Sequence, residues 1–208
     1  MIKAMIFDVD GVVFKSDRGI IDSINETLAY FGGYPIDDEW FHYNHFGSHD
    51  DFVLSRGVDR EHFESFDPML DRLFCRVELY EERPGIREVL QFVRQSGRPL
   101  HLASACREEV TRLKLLHHQG LIDYIDEIHG GERKRDTFLH VAKELNITPL
   151  QIGFVTDMAR DIEEAHHAGV EKVVAITSAF CSREQLLPYG CPVVGDHCET
   201  LQCLKEWL

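Results

Sequence analysis

Four apolar residues, Ala4-Met5-Ile6-Phe7, run directly into Asp8-Val9-Asp10-Gly11, and this junction constrains the fold more than any other feature of the chain. A short apolar run bounded by a turn reads as a buried strand. In an extended segment alternate side chains share a face, so Asp8 and Asp10 project together from the strand's C-terminal tip. Two such carboxylates repel unless a cation lies between them or they hold different protons. Gly11 then lets the backbone bend sharply and approach a ligand closely. Charge is costly at the end of a buried strand, yet that is where α/β sheets bind their ligands.

After Pro84 the pattern alternates. Ile86, Val89, Leu90 and Val93 mark a helix closed by Gly97, and residues 99–103 form a short strand ending at Ser104. A helix through Val110, Leu113 and Leu116 runs to Gly120, and a brief strand follows at Glu127-Ile128-His129. Phe138, Val141, Ala142 and Leu145 mark a helix. Residues 152–155 form a strand ending in Thr156-Asp157, Ile162 and Ala165 lead a helix to Gly169, and further strands lie over 172–176 and at Val193-Val194. This order predicts an α/β fold, a doubly wound parallel sheet covered on both faces. Between the first strand and Pro84 the reading differs. Ile20, Ile24, Leu28 and Phe31 form a helix stopped by Gly32-Gly33, and Met69, Leu73, Val77 and Tyr80 form a second long one, with no convincing strand between. Residues 16–83 are therefore expected to be an inserted helical domain, and residues 1–15 with 84–208 the core.

A formal net charge of -14 argues against nucleic acid, which demands clustered lysine and arginine. No apolar run is long enough to span a bilayer, and the first strand begins without a preceding basic and apolar leader, so a cytoplasmic protein is expected. The six cysteines, Cys75, Cys106, Cys181, Cys191, Cys198 and Cys203, show neither a disulfide framework nor zinc-ligand spacing.

Several strand ends carry polar groups: Asp8 and Asp10, Ser104, and Asp157 with Asp161. The run Arg133-Lys134-Arg135 joins them after the strand at 127–129. In a doubly wound sheet these ends line one crevice. The carboxylates suit a hard cation, the hydroxyl and an ammonium suit phosphate oxygens, and one carboxylate remains to attack. With magnesium the crevice becomes an electrostatic clamp on a phosphoryl group.

In order and spacing, the strings DVDGV at Asp8, LHLAS at Ser104, Lys134 and VTDMARDIEEAHHAG around Asp157 resemble the four motifs of the haloacid dehalogenase superfamily, over nearly the whole chain. The helical insert resembles that superfamily's C1 cap, as in the phosphoglycolate phosphatase and β-phosphoglucomutase branch. The resemblance implies a Rossmann-like core, a Mg2+ ion and an aspartyl-phosphate intermediate. It makes Asp8 the nucleophile and a metal ligand. Asp10 becomes the acid–base residue, with its backbone carbonyl on the metal. Ser104 and Lys134 become phosphate-binding groups, Asp157 the second carboxylate ligand, and Asp161 a residue acting through water or by orienting Lys134. The prolines usual after the third-motif lysine are missing, so Arg133 and Arg135 stand as alternatives to Lys134. Gly47-Ser48-His49 is the expected substrate-facing turn. The implied activity is hydrolysis of a small phosphorylated metabolite; a sugar-phosphate mutase and a non-catalytic phosphoryl-sensing module are the alternatives. The Asp at position 10 favours a phosphatase, since dehalogenase and phosphonatase relatives do not keep it.

Overall fold

The computed structural model describes residues 1–43, 49–131 and 133–208. In chain order the strands are β1 (Ala4–Asp8), β2 (Phe14–Lys15), β3 (Glu81–Glu82), β4 (Leu100–Ser104), β5 (Glu127–Gly130), β6 (Ile152–Thr156), β7 (Lys172–Ile176) and β8 (Val193–Val194). The helices are α1 (Asp17–Tyr30), α2 (Asp38–Tyr43), α3 (His49–Ser55), α4 (Phe63–Phe74), α5 (Ile86–Gln95), α6 (Glu108–His117), α7 (Lys134–Glu144), α8 (Ala159–Ala168), α9 (Arg183–Leu186) and α10 (His197–Trp207). Six strands form one parallel sheet in the order β5-β4-β1-β6-β7-β8.

Period-two alternation gives this sheet two buried faces. Met5 and Phe7 of β1 pack with Val89, Leu90 and Leu204 from α5 and α10. Ala4 and Ile6 face the other way, with Phe138, Val141, Ile162 and Ala165 from α7 and α8. Each buried side chain of this size contributes about 1.5–3 kcal/mol. Met5, Ile6 and Phe7, all fully buried, thereby offset the several kcal/mol it costs to desolvate the carboxylate that follows them. The chain leaves β1 for β4 and β5 on one side, then crosses to β6, β7 and β8 on the other. Asp8 thus ends the strand at which the winding reverses, the position where doubly wound sheets open their crevice.

Helices α1 to α4 lie between β1 and β4, and among the described residues none of this insert joins the six-stranded sheet. Two expectations for the segment need correction. A small antiparallel ribbon is present, with Phe14 opposite Glu82 and Lys15 opposite Glu81, clasping the two connections to the insert. Two-residue strands so far apart in sequence carry no periodicity to read. The second long helix also stops at Phe74, leaving only a single 3-10 turn at Val77–Leu79. Tertiary packing overrides the apolar spacing there, because Tyr80 is buried with its ring 3.9 Å from the ammonium of Lys114. His118 secures the same turn, its Nε2 lying 2.8 Å from the Tyr80 carbonyl and its Nδ1 3.2 Å from Glu82.

The first residue of α10 closes the base of the loop that follows β1. His197 is 1% exposed and its Nε2 donates to the Val12 carbonyl at 2.8 Å, while Nδ1 is buried without a partner. Burial, partly opposed by the Val12 hydrogen bond, lowers its pKa from 6.5 to about 4. Below pH 6.5 the unfolded chain takes up a proton that the folded chain refuses, so stability is lost as pH falls from 6.5 towards 4. His197→Gln keeps a donor to Val12 and does not titrate. Denaturant unfolding at neutral pH and near pH 4 should show an acid loss smaller by about 1–3 kcal/mol in this variant. An unchanged loss would remove His197 from the account of acid sensitivity.

Candidate active site

At the tip of β1, Asp8 is 6% exposed and its Oδ1 is shared by two donors. The Val9 backbone N–H donates at 2.7 Å and Lys134 Nζ at 2.8 Å. Lys134 is the first residue of α7 and also donates to the Ala103 carbonyl, next to Ser104 at the end of β4. Burial pulls its ammonium pKa down, but Asp8 and Asp161 outweigh that and the net shift is upward, so Lys134 stays charged. Of the three cations in the run Arg133-Lys134-Arg135, Lys134 is the buried one.

Asp10 has its own lysine. Lys114, fully buried on α6, donates to Asp10 Oδ1 at 2.8 Å, and the Cys106 thiol lies 3.7 Å from Oδ2. Burial lowers the Lys114 pKa, yet Asp10 and Cys106 more than reverse it and the net shift is upward. Burial, with Asp10 nearby, pushes the Cys106 thiol up to about 12, which keeps it protonated and a donor. Nothing in the sequence flagged Lys114. The apolar spacing marks α6 by Val110, Leu113 and Leu116; Val110 is buried, but Leu113 and Leu116 are exposed, and Thr111, Lys114 and Leu115 face in instead. The reason is Asp10, a counter-ion that makes the inward position tolerable for an ammonium.

β6 and α8 deliver the other carboxylates. Asp157 is fully buried, its Oδ2 accepting from Ser178 at 2.6 Å and its Oδ1 without a partner. Burial and the nearby Asp8 raise its pKa well above 3.8. Asp161, in the first turn of α8, lies 3.9 Å from Lys134. Burial raises its pKa too, Lys134 opposing and Asp8 adding to the shift. Thr156 Oγ1 stands 3.5 Å from Asp8 and 3.4 Å from Asp161; with a single hydroxyl proton it can donate to only one of them. Ser104 Oγ accepts from the Cys106 N–H at 3.1 Å.

Gly11 is required where it stands. Its φ is +79°, and a Cβ there would lie 1.8 Å from Asp157 Oδ2. The same loop is pinned by Arg83, which donates to the carbonyls of Gly11 and Thr177. A cleft of about 210 Å3 opens beside it, lined by Gly11, Lys15, Arg83, Ser178 and Phe180 among others. Phe180 meets Phe41 of α2 at 5.1 Å between ring centroids, so the insert reaches the edge of this cleft. Gly47 and Ser48, and the side chain of His49, lie outside the described residues. The expected site residues Asp8, Asp10, Ser104, Lys134, Asp157 and Asp161 all lie at or just beyond the C-terminal ends of β1, β4 and β6 or the start of α7. Arg83, Lys114 and Ser178 complete the crevice.

A parallel-sheet core with one aspartate ending its first strand, a second two residues beyond, and a helical insert after them defines a class of α/β hydrolases. A protein-family model for haloacid dehalogenase-like hydrolases matches residues 2–169, and the chain belongs to that family. It is 26% identical over 217 aligned residues to the phosphorylated carbohydrates phosphatase of Thermotoga maritima, spanning 99% of this chain and 100% of the relative. It is 29% identical over 184 residues to the phosphoglycolate phosphatase of Chromobacterium violaceum, spanning 81% and 82%. The solved structure of a haloacid dehalogenase-like family hydrolase from Streptococcus pneumoniae superposes with a TM-score of 0.82 at 18% identity, covering 98% of each chain, a likeness of fold.

Members of this superfamily generally use Mg2+. The donor set here fits such an ion: carboxylate oxygens of Asp8 and Asp157, with Asp157 Oδ1 buried and unpartnered and the Asp157 proton affinity raised by burial and by Asp8. The unfolded Asp157 titrates near 3.8 and the folded one well above, so between those values the folded chain holds the extra proton and metal-free stability falls as pH rises. Asp157→Asn should therefore raise the Tm of EDTA-treated protein at pH 7.5 by about 2–4 °C, the shift expected for 1 kcal/mol in a chain of this size. The same substitution should abolish any Tm gain on adding Mg2+. Lower metal-free stability in the variant would contradict this view of the crevice.

Proposed function

We propose that the protein is a Mg2+-dependent phosphomonoesterase that turns over small phosphorylated metabolites through an aspartyl-phosphate on Asp8. The observation that carries this reading is that Asp8 and Asp10, from one strand tip, are each bonded to a different buried lysine at 2.8 Å. Each carboxylate thereby has its own cationic partner, so the two are held as separate groups.

In the first step a carboxylate oxygen of Asp8 attacks phosphorus, the bond from phosphorus to the ester oxygen breaks, and Asp10 gives that oxygen a proton. In the second, Asp10 takes a proton from water as the water oxygen attacks the same phosphorus, releasing phosphate and restoring Asp8. Lys134 and Ser104 hold phosphoryl oxygens, and Lys134 also balances charge on Asp8. Asp161 and Thr156 keep Lys134 and Asp8 in register. Asp8, Asp157 and the Asp10 carbonyl would hold Mg2+, which supplies charge stabilisation to the transferring group. Acid–base assistance of this kind is worth about 10²–10⁴ in rate. Residues 16–83 act as a cap over the crevice, with residues 1–15 and 84–208 as the core; closing such a lid excludes water and completes the substrate pocket. The phosphorylated carbohydrates named for the Thermotoga relative are the first substrates to try.

A screen of sugar phosphates and phosphoglycolate should show phosphate release with Mg2+ and none with EDTA, and Asp8→Asn should abolish it. Conversion of a sugar phosphate to its isomer without phosphate release would instead make the protein a mutase. Retained hydrolysis in clean Asp8→Asn protein would sink the covalent route.

Lys114 positions Asp10 and touches no substrate. Removing its charge with Lys114→Met should raise the proton affinity of Asp10, because a cation bonded to a carboxylate favours the ionised form. The acidic limb of the kcat profile, where Asp10 must be ionised to receive a proton from water, should move to higher pH. kcat should fall about tenfold or more while KM changes little. A uniform loss across pH with an unmoved limb would reduce Lys114 to a packing role.

A further inference from the structure

Away from the phosphoryl crevice, three Lewis bases converge at the open edge of the sheet. His101 lies inside β4 opposite Glu127 of the edge strand β5, and His129 is two residues further along β5. Side chains two apart share a face, so all three project toward α7. His101 Nδ1 is 3.1 Å from His129 Nε2, His101 Nδ1 is 3.5 Å from Glu127 Oε2, and His129 Nε2 is 3.6 Å from that same oxygen. A tetrahedral ion with bonds of about 2.0–2.1 Å separates its ligands by about 3.3–3.4 Å along each edge. The observed triangle has that size.

We propose that His101, Glu127 and His129 form a binding site for a divalent transition-metal ion of the zinc type, separate from the carboxylate crevice. Two imidazoles with one carboxylate are the donors that zinc favours and magnesium does not. Without the ion, one ring proton bridges His101 Nδ1 and His129 Nε2, and the ion would take that proton's place. His101 is 3% exposed, and its Nδ1 faces both other ligand atoms of the triangle. Its Nε2 is buried with no hydrogen-bond partner, so Nδ1 is the ring nitrogen turned to the triangle. Glu127, with a side chain 42% exposed, opens the triangle to solvent. The fourth position falls to water or to His140 of α7; His140 and Glu144 place ligand atoms within 4.8 Å of those of Glu127. With one open position and no outer partner for His101, the site is an exchangeable one, with a Kd on the order of micromolar rather than the far tighter values of closed structural zinc.

The ion would tie β4, β5 and α7 together. Ser104 ends β4 and Lys134 begins α7, so it would brace two phosphate-binding elements from behind without touching substrate.

The test is calorimetric titration of the purified full chain with Zn2+, in excess Mg2+ to fill the carboxylate crevice, and Co2+ absorption as a report of tetrahedral coordination. Wild-type protein should take up one Zn2+ and give the intense visible bands of four-coordinate cobalt. His129→Gln and Glu127→Gln should each weaken binding by about tenfold or more, whereas Asp157→Asn should leave it unchanged. Because Glu127 is half exposed, its variant decides the matter should the histidine variant fail to fold. No Zn2+ uptake by wild type, or uptake abolished by Asp157→Asn and kept by Glu127→Gln, would overturn the proposal. Neither result bears on whether Asp8 hydrolyses phosphate esters.

Discussion

Four carboxylates in one dry crevice are the constraint on which the rest of this structure depends. Asp8, Asp10, Asp157 and Asp161 approach one another at the strand ends, and two lysines at most 5% exposed stand among them. Each ammonium is expensive to bury and each stays charged because a carboxylate is bonded to it. The ion pairs do not themselves hold the fold together. Apolar burial on both faces of the sheet supplies the stability, and the ion pairs decide which arrangement of charge that stability can support.

Backbone geometry follows from the same crowding. Gly11 approaches the Asp157 carboxylate more closely than any side chain would permit, and Arg83 holds that loop by its carbonyl rather than by a carboxylate. The connection from the insert enters here. Tyr80 covers Lys114, His118 binds the Tyr80 carbonyl, and the ribbon of Phe14 and Lys15 with Glu81 and Glu82 locks both connections side by side. Helices α1 to α4 are therefore anchored within a few residues of both Asp10 and Arg83. A second contact, between Asp71 of α4 and Arg107 ahead of α6 at 2.7 Å, crosses from insert to core on the Cys106 side. A movement of the insert would be felt first at these contacts.

The sheet was legible because its central strands are mostly apolar and end in punctuation. Ala4 to Phe7, Ile152 to Val155 and Lys172 to Ile176 each stop at a polar residue or a turn, and each is a parallel strand. Asp8, Ser104, Lys134 and Asp157 were legible for a related reason: polar residues stand out against such a background. Lys114 was not, because a lysine in a helix is by default a solvated one, and only the distant Asp10 turns it inward. Ser178 and Arg83 were equally silent, since each acts on a neighbour brought near by the fold, Asp157 for one and the Gly11 carbonyl for the other. The ribbon between β2 and β3 and the early end of α4 belong to the same category, set by contacts between segments far apart in the sequence.

Donor chemistry divides the two polar clusters of the core cleanly. The crevice offers oxygen: carboxylates, the hydroxyls of Ser104, Thr156 and Ser178 and the amide carbonyls around Gly11, a set suited to a hard ion that keeps part of its water shell. The edge of the sheet offers imidazole nitrogen beside a single carboxylate, a set that gains more from a softer ion with stronger covalent character. Both clusters grow from the same short elements, since β4 carries His101 and Ser104, and α7 carries Lys134 at its first turn and His140 at mid-length. Ligand type rather than distance along the chain therefore keeps the two sites distinct. An ion drawn to the imidazoles is to that extent drawn away from the oxygen donors of Asp8 and Asp157.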